Sequence, residues 1–322
     1  MHTFPRLVAD IGATHARFAL IREEGGPLER KRRLLTGDFP SLRDAISHYL
    51  RELDVRPSWA CLAVAGVTST ERIRLTRVPS WSFTRQELQR EFGFRQVCVL
   101  NDIEAVALAV AELDPASMAP IGGGIEHSGS PLAIVAPGTG LGMAQMIPCT
   151  GRWHIIATEG GHSTMAPGNE REHAVFGYWL TAGSVLSREH FLRGPGILRI
   201  YQGLCALDGV AMETDRAEEI SRLAVEQDDP LCTEALSMFL GLLGSACGDQ
   251  VLATGARGGL YLAGGVLPQL REQLETGPFR ERFEDKGMMS EYTTGVRTWL
   301  ITAADPALDG ASRMPIRETA DY

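Results

Sequence analysis

Leu7-Val8-Ala9-Asp10-Ile11-Gly12-Ala13-Thr14-His15-Ala16-Arg17-Phe18-Ala19-Leu20-Ile21 reads as a strand, a tight turn and a second strand. Leu7 to Ala9 is a short apolar run, and the residues from Ala16 to Ile21 alternate as a half-buried strand does. The turn between them supports two readings. It can be a plain hairpin turn. It can also be a phosphate contact, in which Gly12 lets the backbone come close and Asp10 holds a hydrated Mg2+. The turn by itself does not choose between them.

Further along, Ser41 to Leu53 places Leu42, Ala45, Ile46, Tyr49, Leu50 and Leu53 at helical spacing behind Ser41, a good N-cap. Ala60 to Val67 and Gln96 to Leu100 are apolar and short, as buried strands of a parallel or mixed sheet are. Asn101-Asp102 then falls at the C-terminal end of a strand, and the alanine-rich stretch Glu104 to Leu113 predicts a helix after it. Ligand contacts in open α/β sheets gather at such junctions. Asn and Asp are also preferred helix caps, and one pair of residues can serve both ends. In the chemical role, Asp102 would accept the proton of an alcohol attacking phosphorus.

Pro115 to Pro131, rich in Gly, Ser and Pro, reads as a connection, which puts a domain boundary near residue 112. The strand Leu132 to Ala136 beyond it ends in Pro137-Gly138-Thr139-Gly140-Leu141-Gly142. A turn needs only one or two residues at positive φ, so three alternating glycines ask for more than a turn. No Gly-Lys-Ser/Thr follows, and the spacing is not that of a dinucleotide fold. A third strand, Gly258 to Val266, carries Gly264-Gly265, which is either a turn or a small-residue surface for a nucleoside. Glu159-Gly160-Gly161-His162 sets a carboxylate and an imidazole across a flexible turn, as the vicinal hydroxyls of a sugar require, or is a surface loop. The strand-and-glycine unit thus recurs in both halves of the chain.

The chain has 322 residues, long for one core, so two α/β domains are expected: 1–111 with about 303–322, and 112–302. A net charge of −9 argues against a polyanionic partner, and Arg30 to Arg33 reads as a solvated strand edge, so no nucleic acid is expected. The uncharged stretch Ala235 to Gly248 falls short of the ~20 residues that cross a bilayer and reads as a buried helix. Cys61, Cys98, Cys149, Cys205, Cys232 and Cys247 are scattered, without zinc spacing, and read as reduced and mostly buried. Met1 to Arg6 lacks the pattern of a secretory signal, which predicts a cytoplasmic protein.

In order, Asp10-Ile11-Gly12-x-Thr14-x-x-Arg17, Leu100-Asn101-Asp102, Gly138-Thr139-Gly140-Leu141-Gly142, Glu159-Gly160-Gly161-His162, Ser187-x-Glu189 with Gly194-Pro195-Gly196, and Leu262-Ala263-Gly264-Gly265 resemble the bacterial glucokinases. The resemblance is to the zinc-free branch of these sugar kinases, within the actin/hexokinase/Hsp70 superfamily. It implies a two-lobed, ribonuclease H-like α/β fold with the active site in the cleft between lobes. ATP with Mg2+ would be held by Ala9 to Thr14 and Gly138 to Gly140, and adenosine by Gly264 and Gly265. Asn101, Asp102, Glu159, His162 and Glu189 would contact glucose, with Asp102 taking the proton of the 6-hydroxyl. A homodimer is also implied. Ala13 and His15 depart from the Gly-Asn of the usual Gly-Gly-Thr-Asn turn. Two alternatives stay open at this level, a sugar-binding regulator with little catalysis and a kinase of another hexose or donor.

Overall fold

The computed structural model describes residues 4–314 except 54, 126 and 228. The chain divides into two compact units, Met1–Leu113 with Ala303–Tyr322, and Asp114–Thr302.

The first unit contains strands β1 (Arg6–Ile11), β2 (His15–Ile21), β3 (Glu29–Leu35), β4 (Trp59–Val64), β5 (Gly66–Val67), β6 (Arg72–Leu75), β7 (Ser82–Thr84) and β8 (Gln96–Asn101). Its first helices are α1 (Leu42–Arg51), α2 (Arg85–Phe92) and α3 (Asp102–Val110). The main sheet has the order β3-β2-β1-β4-β8. β1 to β3 form an antiparallel meander, and β1, β4 and β8 run parallel. Alternation along β1 sends Leu7, Ala9 and Ile11 into a core shared with Leu42, Ala45, Ile46 and Tyr49 of α1, which Ser41 caps. Tyr49 stacks on Phe18 with ring centroids 5.2 Å apart. The opposite parity, Val8, Asp10, Cys61 and Cys98, faces the other side. There α3 packs on β4 and β8, together with a helix returning from the C-terminal segment, Pro306–Ser312.

The apolar run expected as one strand from Ala60 to Val67 is two. β4 stops at Val64, Ala65 N–H donates to Ile11 O at 3.2 Å, and Gly66-Val67 leave to pair with β6 in a separate sheet, β5-β6-β7. Both pieces are apolar, so the change of sheet leaves no mark in the hydropathy pattern.

The second unit contains β9 (Met118–Gly122), β10 (Leu132–Pro137), β11 (Leu141–Cys149), β12 (Arg152–Thr158), β13 (Gly259–Leu262) and β14 (Thr298–Ile301), in one sheet of order β12-β11-β10-β13-β14-β9. β9 lies within the stretch expected to be a connection; it pairs antiparallel with β14 at the sheet edge, where a proline is tolerated. The helices are α4 (Glu170–Thr181), α5 (Arg188–Leu192), α6 (Gly196–Asp208), α7 (Ala217–Glu226), α8 (Pro230–Thr254), α9 (Arg271–Thr276), α10 (Phe279–Glu284) and α11 (Ser290–Thr294), which makes the C-terminal helix of the first unit α12. α8 is long and apolar enough to cross a membrane, but 72% of its most apolar window is buried inside the protein, as befits a core helix. The order β12-β11-β10-β13-β14 repeats β3-β2-β1-β4-β8, meander first and parallel strands after.

All six cysteines are free thiols; Cys61, Cys205, Cys232 and Cys247 are buried, Cys98 is partly exposed and Cys149 exposed. Among the described residues no group of three His, Cys, Asp or Glu side chains could hold a metal ion.

Candidate active site

In the first unit, Gly12, Ala13 and Thr14 form the turn between β1 and β2. Gly12 N–H donates to His15 O at 2.9 Å. Thr36, buried just past β3, clamps the turn from below: its Oγ1 donates to Gly12 O at 3.0 Å and its N–H to Thr14 O at 3.0 Å. The N–H groups of Ala13 and Thr14 donate to no backbone acceptor among the described residues. Ala9 and Ile11 are fully buried in a strand paired on both sides, with side chains toward α1, so neither presents a surface to a ligand.

Asp10 points to the other face. Its Oδ2 accepts from Arg17 Nη1 at 2.9 Å, and Arg17 Nε reaches Asp305 Oδ1 at 2.9 Å. Burial pushes the Asp10 carboxyl above the usual carboxylate range against the pull of Arg17, and Asp305 adds to the rise. Two carboxylates sharing one guanidinium keep an excess negative charge. This donor set fits a hydrated Mg2+, which takes one or two carboxylates, several waters and phosphate oxygens. Arg33, the cross-strand partner of Arg17, lies with Nη2 3.2 Å from His15 Nδ1. A guanidinium only donates, so Nδ1 accepts and the ring proton sits on Nε2. Burial lowers the His15 pKa, Arg33 and Arg17 lower it further, and the ring is neutral at pH 7.

At the end of β8, Asn101 caps α3. Its Oδ1 accepts Ile103 N–H at 3.0 Å, its own N–H donates to Glu104 Oε2 at 3.3 Å, and its Nδ2 donates to Gly66 O at 3.1 Å. The amide is engaged at both ends and keeps one N–H for a ligand. Asp102, half-buried, opens the helix, and its Oδ1 accepts Ile103 N–H at 2.9 Å. The positive end of the helix stabilises negative charge at this carboxylate.

In the second unit, Gly138 to Gly140 join β10 to β11. Gly138 N–H donates to Gly140 O at 2.8 Å and Gly194 N–H to Gly138 O at 2.7 Å, while Leu141 N–H donates to Glu189 Oε2 at 3.1 Å. The N–H groups of Thr139 and Gly140 donate to no backbone acceptor among the described residues. A Cβ on Gly140 would stand 2.7 Å from Glu189 Oε2, so the carboxylate lies against the turn. His162 Nε2 is 3.8 Å from Glu159 Oε2 and 3.9 Å from Glu189 Oε2, which gathers these three side chains beside the same turn. Gly264, at φ +109°, backs directly onto Pro137, whose carbonyl oxygen a Cβ would meet at 2.0 Å. Gly265 next to it has open space where its Cβ would be.

Each unit therefore assembles part of the expected set. The first joins Asp10, Gly12, Ala13 and Thr14, with Asn101 and Asp102 at the end of β8. The second joins Gly138, Thr139, Gly140, Glu159, His162, Glu189 and Gly264. Sequence reading missed Thr36, Arg33 and Asp305. Strand parity could have found Arg33, since it faces Arg17 across β2 and β3. Thr36 and Asp305 act over long sequence distances and carry no local signal.

The glucokinase family model matches residues 7–317. A glucokinase of Chromobacterium violaceum is 39% identical over 310 residues, which cover 96% of this chain and 88% of its own. A glucokinase of Nitrobacter hamburgensis is 36% identical over 313 residues, 97% of each chain. Among solved structures, a glucokinase from an Antarctic psychrotroph matches with a TM-score of 0.85 at 36% identity, covering 96% of this chain and 98% of that one. The expected actin-like α/β fold is thus the fold these relatives share. The chain belongs to the glucokinase family.

Proposed function

We propose that Asp102 is the general base with which this glucokinase transfers the γ-phosphate of ATP to the 6-hydroxyl of glucose. The reading is carried by one observation in a chain of this family: two glycine turns at matching places in the two sheets, each with two adjacent N–H groups that donate to no backbone acceptor among the described residues, as backbone recognition of phosphates needs. The sugar would be held by Asn101, Asp102, Glu159, His162 and Glu189. Its 6-hydroxyl loses its proton to Asp102 as the oxygen attacks the γ-phosphorus, and the P–O bond to ADP breaks. The first turn, Gly12 to Thr14, and the second, Gly138 to Gly140, cradle the phosphates with backbone amides, and Gly264-Gly265 offer small surfaces to the adenosine. Mg2+, held through water by Asp10, would neutralise charge on the phosphoryl oxygens. Arg33 and His15 Nε2–H add donors beside the first turn. A homodimer in the cytoplasm completes the proposal.

The test is Asp102→Ala in a coupled assay for glucose 6-phosphate beside glucose titration by calorimetry. Turnover should fall by about 10³-fold or more, consistent with loss of a positioned base, while the glucose Kd stays within a few-fold. Near-normal turnover in that variant would overturn the assignment of the base.

A further inference from the structure

We infer that Cys61 and Cys98 form a modification site, a cross-strand dithiol that hydrogen peroxide converts to a disulfide, and that this bond slows catalysis by disturbing the start of α3. The two residues are register partners on the adjacent parallel strands β4 and β8, so their side chains leave the same face of the sheet. Neighbouring strands lie about 4.7–4.9 Å apart, inside the Cα separation of about 4.4–6.8 Å that a disulfide spans. Cys98 is partly exposed, whereas Cys61 is 5% exposed beneath it.

The pair is also chemically asymmetric. The Cys61 thiol donates to the Cys98 sulfur, which lowers the pKa of Cys98 and, with burial, raises that of Cys61. Arg85 lowers Cys98 further, and Glu104 opposes it. Among the other cysteines, burial pushes Cys232 up to about 12 and raises Cys205 and Cys247 as well. Cys98 is thus the partly exposed member of the pair and the one whose thiol is lowered, and the sulfur beside it is Cys61.

The chemistry balances with peroxide as the oxidant. The Cys98 thiolate attacks one peroxide oxygen, the O–O bond breaks, and the departing hydroxide takes a proton to become water, leaving a sulfenic acid. Cys61 sulfur then attacks Cys98 Sγ and the S–O bond breaks. The Cys61 proton leaves with that hydroxide as a second water. Two thiols lose two electrons and one peroxide becomes two waters.

The bond would be felt at the candidate site because β8 leads straight into it. Cys98 is three residues before the cap Asn101 and four before Asp102, and the charge of Glu104 on α3 reaches both sulfurs. A disulfide most often sets its Cα atoms about 5.5–6 Å apart, wider than the roughly 4.7–4.9 Å between paired strands, so closing it pushes β4 and β8 apart at this level and shifts the strand end that sets the Asp102 carboxylate.

The full chain is treated with peroxide, alkylated and digested, and its turnover measured before and after dithiothreitol. We expect a peptide linking Cys61 to Cys98, a fall in kcat of about tenfold or more, and recovery on reduction, since a displacement on the order of 1 Å suffices for such a loss. Cys61→Ser and Cys98→Ser, checked for folding by circular dichroism, should keep their turnover in peroxide. The inference is overturned if both thiols of the wild-type chain stay open to alkylation. It is equally overturned if the link forms without a change in rate, or if both serine variants lose activity as the wild type does. The linked peptide is read by mass without any assay of glucose phosphorylation, so its failure is separable from failure of the proposed function.

Discussion

The two glycine turns sit at the same place in two sheets of the same topology, yet they are furnished differently. In the first unit the turn follows a strand pair in which Asp10 faces Arg17, and Asp305, His15 and Arg33 complete a charged set. In the second unit the comparable strand pair is Ala136 and Gly142, and the turn is held by its own backbone and by Glu189. A repeated scaffold has thus kept the backbone cradle in both halves and put cation-related chemistry in one. Among variants that test this asymmetry, the largest effect is expected at Asp10. Asp10→Asn keeps the size of the side chain and removes its charge, so kcat/KM for ATP should fall by about 10²–10³-fold, the usual loss of a group that stabilises charge in the transition state. Glucose affinity, measured by calorimetry, should change little; an unaltered ATP rate would break the contrast between the turns.

The second turn depends on close packing where the first depends on charge. Gly264→Ala puts a methyl 2.0 Å from Pro137 O at φ +109°, a conformation that L side chains rarely adopt. Backbone strain of about 1–3 kcal/mol adds to a similar cost of overpacking. The variant should unfold about 5–10 °C below the wild type in a thermal melt. A melt unchanged within 1 °C, on the order of the scatter of such scans, would mean that the third turn is not seated on the second. Glu189→Gln is milder, because the amide oxygen can still accept Leu141 N–H. The KM for glucose should rise by about tenfold, the worth of one charge-assisted hydrogen bond, with the KM for ATP nearly constant. An equal rise in both constants would instead assign Glu189 to the turn alone.

The features that sequence reading reached are those written in neighbouring residues. The two strand-turn-strand units, the cap at Ser41 and the buried helix through Ala235 to Gly248 all depend on local periodicity and local turn chemistry. The break of the apolar run at Ala65 and the edge strand Met118–Gly122 depend on what the chain meets in space, and a continuous apolar run or a glycine-rich stretch conceals both. Within the candidate site the same division holds. The turns announce themselves by glycine, whereas Thr36 beneath Gly12 and Asp305 beside Arg17 are joined across long stretches of chain. Asn101 shows a third case: the residue was legible as a cap, but its tether to Gly66 O was not, because that carbonyl belongs to the strand piece that changes sheet.

The smallest expected effect concerns the histidine next to Glu189. His190 lies on α5 beside Arg199, and burial, with Arg199 and Arg193 adding to it, lowers its pKa to about 4. Its unfolded value is about 6.5, so the folded state holds the neutral ring and the unfolded state takes the proton first. The contribution of His190 to stability is therefore complete above pH about 6.5 and is lost as pH falls toward about 4. Denaturant midpoints measured between these limits should decline for the wild type, with other acid-sensitive groups contributing a common background. His190→Gln removes the titration and keeps a polar side chain of similar reach, so its midpoint should decline less steeply over the same window. His15 in the first turn supplies the contrast: its pKa is lowered by the same kinds of cause, but its ring stands at the start of β2 in an exposed contact with Arg33. His15→Asn should leave the slope of stability against pH close to that of the wild type, and a flattening as large as that of His190→Gln would erase the distinction between a structural imidazole in the second unit and a solvent-facing one in the first.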